Sequence, residues 1–328
     1  GRVSEGHSLR QFFVLVAQGQ TELMLVAGFS GSGKTAVINE VHKPITRQSG
    51  YFIKGKFDQF NRSTPFSAFV QAFRSLMGQL LGESDADLAS WRTKILKAVG
   101  ENGQVIIDVI PELAMIIGEQ PALPEMSGVA AQNRFNRLFS QFVRVFTTKN
   151  HPLVIFLDDL QWADSASLGL LKVLMGESEA GYLLMLGAYR DNEVSPAHPL
   201  MLTLEEMLQK GANIETLTLA PLDPEDISRL VADTLLCSQK SAIALAQLVF
   251  QKAQGNPFFT TQFLQGLYED GCIIYSIEAG CWQCNIAQVR ALALTNDVVA
   301  FMVERLKKLP RATQTVLKLA ACIGNRFD

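Results

Sequence analysis

The chain has 328 residues, 48% of them hydrophobic and 19% charged, with a formal net charge of −3, enough for two domains of ordinary size. That near-neutral balance gives no electrostatic footprint for direct contact with nucleic acid or an anionic membrane surface. Apolar runs such as LMLVAGF and PLVIFL fall far short of the roughly 20 residues that a bilayer requires, and five scattered cysteines fit a reducing compartment, so the expected location is cytoplasmic.

Leu9, Phe12, Phe13 and Val16 recur at helical spacing and predict an amphipathic helix over residues 5–18. ELMLVA (22–27) reads as a buried strand and runs directly into GFSGSGKT, Gly28 to Thr35. This is the G-x-x-x-x-G-K-[ST] phosphate cradle. Its glycines let backbone N–H groups converge on phosphate oxygens where a β-carbon would obstruct them, and the following helix N-terminus adds partial positive charge. The candidate nucleotide-binding residues are therefore Gly28, Ser30, Gly31, Ser32, Gly33, Lys34, Thr35 and the adjoining Ala36. Lys34 is expected to reach the β- and γ-phosphates of ATP, and the Thr35 hydroxyl to hold Mg²⁺. The helix after the loop is expected to run from Lys34 to about Thr46.

YFIKGKF (51–57) reads as a second strand. Thr64-Pro65 offers an N-cap and a first-turn proline for a helix carrying Phe66, Phe69, Phe73 and Leu76. Residues 85–125 read as helical or irregular and carry no chemical signal. Phe135, Leu138, Phe139, Phe142 and Phe146 mark the core face of a long helix. PLVIFLDD, YLLMLGAYR and NIETLTL read as three more strands, the last two each preceded by a helix. Continuous apolar strands alternating with helices predict an α/β fold with a mostly parallel sheet covered on both faces. After Leu219 the pattern becomes helical, apart from a hairpin at CIIYSIEAGCWQCN.

Other places along the chain also need a chemical reading. Asp158 and Asp159 end the strand LVIFLDD; beside a phosphate loop, Asp158 is expected to orient Mg²⁺ and Asp159 to polarise the attacking water. Asp58 and Gln59, at the end of the second strand, are the alternative candidates for that base. Arg190 closes LLMLGAYR, and strand ends in a parallel sheet share one edge, so it is expected at the same crevice. Gly255-Asn256-Pro257 reads as helix punctuation: a C′ glycine, an N-cap and a first-turn proline. Cys281-x-x-Cys284 lacks a second pair at ligand spacing and reads as hairpin core.

Gly1-Arg2, GFSGSGKT, LVIFLDDLQWAD, LGAYRDNE, LAPL and GNPFF stand in the order typical of signal-transducing STAND-type P-loop ATPases, and the resemblance covers nearly the whole chain. FIKGKFDQFNRSTPFSAFVQAF resembles the ATPase segment of very large bacterial, notably cyanobacterial, signalling proteins. In those, a serine/threonine-kinase-like domain precedes the ATPase, and GAF or PAS sensors and a histidine kinase often follow. The resemblance implies a P-loop NTPase core over 1–220, a helical lid over 221–290, and over 291–328 helices leading into a winged helix. It implies that Arg2 lies near the adenine, with Val3 where the family carries glutamate. It further implies that Arg190 senses the γ-phosphate and that Pro257 packs on the base. Ring-forming AAA motors usually carry Asp-Glu after this strand; the shorter Asp159 moves its carboxylate by about 1 Å, which can lower a rate on the order of 100-fold.

The function expected is an ATP-binding, slowly hydrolysing switch within a larger signal-transduction kinase. Its partners would be ATP or ADP and the sensor and kinase domains of the same chain, with nucleotide-dependent self-association. An oligomeric motor or loader ATPase, a small-molecule phosphotransferase and the ATPase module of a transcription regulator are the alternatives. The kinase signatures H-R-D and D-F-G do not occur in the chain.

Overall fold

The computed structural model describes residues 3–40, 50–60, 64–122, 124, 128–176, 181–278, 280–293, 303 and 306–323. They belong to two compact units. Of the described residues, one comprises those from Val3 to Phe29 together with Lys34–Thr218; the other comprises Ser30–Gly33 together with those from Leu219 onward.

The first unit starts with α1 (Val3–Ala17), β1 (Thr21–Ala27), α2 (Lys34–Asn39) and β2 (Tyr51–Lys56). There follow α3 (Ser67–Leu80), α4 (Asp85–Val99), the short helices α5 (Gly103–Ile107) and α6 (Ala114–Ile117), and the long α7 (Gly128–Arg144). It ends with β3 (Leu153–Asp158), α8 (Ser165–Gly176), β4 (Leu183–Tyr189), α9 (Pro199–Gln209) and β5 (Ile214–Thr218). The five strands form one sheet in the order β2-β3-β4-β1-β5, and every neighbouring pair is parallel. In β4 all seven residues are buried, as are six of seven in β1 and five of six in β3. Side chains alternate between faces along a strand, so burial at consecutive positions means that both faces are covered.

Parallel register places the C-terminal ends of β1, β3 and β4 together: Leu157 of β3 lies opposite Gly187 of β4, and Ala27 of β1 opposite Tyr189 of β4. Lys56 at the end of β2 lies opposite Asp158 of β3. The chain leaving each strand thus delivers its next residues to one edge.

The phenylalanines at helical spacing form the core between α3 and α7. Phe73 is fully buried, with its ring 5.1 Å from Phe139, 5.5 Å from Phe142 and 6.3 Å from Phe146. Gly55 in β2 packs against α3 so closely that a β-carbon would stand 1.8 Å from the Ala68 carbonyl oxygen. The predicted cap at Thr64-Pro65 is corrected: α3 begins at Ser67, and the cap position is Phe66, left-handed (φ 62°) and without a side-chain cap bond. Packing overrides capping preference here, because the buried Phe66 ring sits 4.2 Å from Phe135. The uninformative stretch 85–125 opens on α4, which Ser84 caps by accepting the Asp87 N–H. The expected continuation of α2 to Thr46 falls on residues 41–49, outside the described residues.

In the second unit, α10 (Pro224–Thr234), α11 (Gln239–Ala253) and α12 (Pro257–Glu269) precede the antiparallel hairpin β6 (Ile273–Ser276) and β7 (Cys281–Cys284). Next come α13 (Ile286–Ala293) and α14 (Arg311–Ile323). Ile227, Val231, Leu245, Val249, Phe263 and Leu267 are among the residues of its separate apolar core. No described helix is long and apolar enough to cross a membrane.

Candidate functional site

The segment Gly28–Thr35 joins β1 to α2. Gly28, Gly31 and Gly33 have φ of 151°, 77° and 93°, conformations that side-chain-bearing residues rarely adopt. Lys34 opens α2 and is only 8% exposed. Its ammonium donates to the carbonyl oxygens of Gly28 at 2.8 Å and Phe29 at 2.9 Å, which places it at the mouth of the loop. Burial pushes its pKa below the ordinary lysine range, against the opposing pull of Asp158 and Asp159. Thr35 and Ala36 follow on the exposed side of the first helical turn.

The Thr35 hydroxyl donates to Asp158 Oδ2 at 3.2 Å, across 123 residues of sequence. A hydroxyl and a carboxylate at contact distance at the mouth of a phosphate loop form an oxygen donor pair suited to a hard divalent cation such as Mg²⁺. Burial raises the Asp158 pKa above the usual carboxylate range, and neighbouring Asp159 adds to the effect; Lys56 and hydrogen bonds from the Asp159 N–H and Thr35 oppose it. Among the described residues, no group of three or more His, Cys, Asp and Glu is arranged to hold a metal by itself.

Asp159 is turned inward. Its backbone is left-handed (φ 56°, ψ 46°), and its side chain is 6% exposed. Oδ2 lies 3.0 Å from Lys56 Nζ; Oδ1 accepts from Gln161 Nε2 at 2.9 Å and lies 3.6 Å from Arg190 Nε. The Arg190 guanidinium also meets Glu193 at 2.6 Å and lies 4.9 Å from the Trp162 ring centre. The structure therefore brings Lys34, Thr35, Asp158, Asp159 and Arg190 to one sheet edge. Asp58, the alternative base, instead accepts the Phe60 N–H in a local turn. Arg2 lies outside the described residues.

In the second unit, Gly255-Asn256-Pro257 does more than punctuate helices. The Asn256 oxygen caps α12 by accepting the N–H groups of Phe258 and Phe259. Its Nδ2 donates to the Ser30 carbonyl at 2.8 Å, and the Phe258 N–H donates to the Gly31 carbonyl at 3.2 Å. A β-carbon on Gly31 would stand 2.7 Å from Asn256 Oδ1 and 2.8 Å from Phe258 Cβ. Pro257 occupies the first turn of α12 beside these contacts.

Sequence reading misses three residues: Lys56, Gln161 and the loop-binding half of Asn256. Lys56 ends a strand like any solvated lysine, and an N-cap is reason enough for an asparagine. Only Gln161 leaves a trace, as a polar residue inside the otherwise apolar turn LQW.

Residues 1–186 match the AAA ATPase domain family. The chain belongs to that family. Over its full length it is 31% identical to hybrid signal transduction histidine kinase G of Dictyostelium discoideum, of which it covers 11%. Over 46% of the chain it is 23% identical to histidine protein kinase 1 of Candida albicans, of which it covers 7%. It thus spans about a tenth or less of the curated relatives it matches. The ORC2 protein of Aeropyrum pernix, solved as ADPNP-ADP complexes, superposes with a TM-score of 0.51 at 13% identity. That likeness covers 94% of this chain and 71% of the other, and it is a likeness of fold. The five-stranded parallel sheet with helices on both faces is the P-loop NTPase fold.

Proposed function

We propose that this AAA ATPase domain is an ATP-binding, slowly hydrolysing regulatory switch of a larger signal-transduction kinase. The backbone amides of Gly28–Thr35 cradle the phosphates, with Ser30, Ser32 and Ala36 as flanking contacts, and Lys34 meets the β- and γ-phosphates. Thr35 and Asp158 would hold Mg²⁺, which supplies charge to offset that of the phosphates. Asp159 polarises the attacking water, Arg190 reads the γ-phosphate, and Arg2 and Pro257 serve the adenine side.

The observation that carries the slow character is the enclosure of Asp159. Both of its carboxylate oxygens are engaged, by Lys56 and by Gln161, and the side chain is 6% exposed. A buried carboxylate so occupied is a weaker acceptor toward water until Lys56 is drawn off Oδ2, and a γ-phosphate is the ligand chemistry that draws lysine and arginine. A nucleotide shifts the state of such a site only through contacts that differ between ATP and ADP. In this reading Lys56 and Arg190 make those contacts.

The full-length identity to a hybrid histidine kinase supports a multi-domain setting, with sensor and kinase domains of the same chain as partners. The STAND-type assignment, a serine/threonine-kinase domain and nucleotide-dependent self-association belong to this same reading. Hydrogen exchange in saturating Mg-ATP and Mg-ADP tests it. ATP should raise protection of Gly255–Phe259 and of Ser30–Gly33 above the level in ADP; identical exchange in the two nucleotides would overturn the switch.

A further inference from the structure

Gln161 lies two residues beyond Asp159, on the single turn Leu160–Trp162, and is 2% exposed. A primary amide so deeply buried is unfavourable unless both ends find partners. Both do. Nε2 donates to Asp159 Oδ1 at 2.9 Å, and Oε1 accepts the Arg190 backbone N–H at 3.1 Å. The orientation is unambiguous, because a carboxylate needs a donor and a backbone N–H needs an acceptor.

The surroundings show what this bridge does. A left-handed non-glycine residue persists only where neighbours hold it, and at Asp159 the N–H is taken by Asp158 Oδ1 and the carbonyl by the Trp162 N–H. The charged groups around the carboxylate are Lys56 from β2, Asp158 on β3, Arg190 after β4 and Lys34 on α2. The side chains of Lys56 and Arg190 are 52% and 26% exposed, long, and able to re-aim. Gln161 is short, neutral and enclosed. It touches the acid through its side chain and the arginine through its backbone.

We propose that Gln161 is the positioning residue of the nucleotide site. It holds the Asp159 carboxylate and the Arg190 main chain in one fixed relation while the side chains of Lys56 and Arg190 move to a γ-phosphate. With Oδ1 retained by the amide, Oδ2, once Lys56 has left it, is the oxygen that accepts from water. The inference rests on reading Asp159 as the acid that polarises water, and it adds the group that aims this acid.

The test uses Gln161→Glu, Asp159→Asn and the double variant, in single-turnover hydrolysis with Mg-ATP, calorimetric titration with Mg-ATP and Mg-ADP, and thermal melting. Gln161→Glu keeps the acceptor for Arg190 N–H but sets a carboxylate against Asp159. Displacing the acid by about 1 Å should slow hydrolysis roughly 10- to 100-fold, with both nucleotide affinities within about 3-fold of the parent. In the double variant the amide introduced at position 159 can donate to the carboxylate introduced at position 161. It should therefore hydrolyse no more slowly than Asp159→Asn alone and melt closer to the parent than Gln161→Glu does.

Parental hydrolysis in Gln161→Glu, while Asp159→Asn is slow, would overturn the role of Gln161 and leave Asp159 standing. Loss of Mg-ADP binding in step with hydrolysis would show a merely structural residue and equally overturn it. Parental hydrolysis in Asp159→Asn would overturn the acid assignment and this inference together. Gln161→Leu, which removes both bonds, gives a second reading if Gln161→Glu does not fold. It should lose preference for ATP over ADP as well as hydrolysis, and retention of both would overturn the proposal.

Discussion

Replacing Lys34 by methionine should separate folding from binding. The ammonium is 8% exposed and donates to the carbonyls of Gly28 and Phe29, yet burial depresses its pKa. A lysine whose folded pKa lies below its unfolded value of about 10.5 weakens the fold while charged, and that cost fades only as pH rises toward the unfolded value. Near neutral pH the charge is thus a net burden on the nucleotide-free fold. Methionine fills a similar volume without charge, so the variant should melt within about 3 °C of the parent, a change of about 1 kcal/mol. The bound state should respond differently. Phosphates facing a site without its cation forfeit roughly 3–5 kcal/mol, or about 200- to 5,000-fold in affinity. At ATP equal to 100 times the parental Kd, binding stabilises the parent by about 2.7 kcal/mol, an upward shift of roughly 5–10 °C in melting. In Lys34→Met the same ATP concentration should stabilise by no more than about 0.3 kcal/mol, and the shift should vanish. Differential scanning fluorimetry with and without Mg-ATP reads both quantities. A large fall in nucleotide-free melting with a preserved ATP shift would refute the reasoning.

Phe73→Ala should lower stability by about 3–5 kcal/mol, because the ring fills the centre of the Phe139, Phe142 and Phe146 cluster; urea unfolding checks this. Glu22 is 3% exposed, and burial raises its pKa above 4.5, partly offset by the Asn213 amide and reinforced by Glu215. A carboxyl with a raised folded pKa favours the fold below the unfolded pKa and loses that advantage as pH rises through the folded value. Glu22→Gln should therefore gain about 0.5–1 kcal/mol at pH 7.5 and nothing below about pH 4.5, measured by urea melts at both pH values. Asn256→Asp keeps the oxygen that caps α12 but replaces the donor to Ser30 with a second carboxylate oxygen. Exchange at Ser30–Gly33 should rise while that of α12 stays near parental; unchanged exchange at the loop would refute the contact's role.

Much of the first unit is legible in the sequence for a physical reason. Parallel strands buried on both faces read as continuous apolar runs, and LVIFLD, LLMLGAY and TELMLVA carry that signal directly. Strand ends at one edge then imply that Asp158, Asp159 and Arg190 meet near the phosphate loop, as they do. The features that escape are those in which one residue does two things. Asn256 is a cap by composition, and its bond to Ser30 depends on a contact 226 residues away. Lys56 looks like a solvated strand end, but its ammonium lies on a buried acid whose placement no local pattern encodes. The start of α3 departs from its capping signal because the Phe66 ring packs on Phe135, a gain that outweighs a helix cap worth only about 1 kcal/mol.

The most direct test of the switch is the single-turnover rate constant for hydrolysis of Mg-ATP by the chain. With Asp159 enclosed by Lys56, Gln161 and Arg190, the rate should lie at or below about 10⁻² s⁻¹, within the range of P-loop hydrolases that lack an arginine supplied in trans, so that ATP is retained for minutes. Turnover above about 1 s⁻¹ would contradict the account and point to a motor or a phosphotransferase instead.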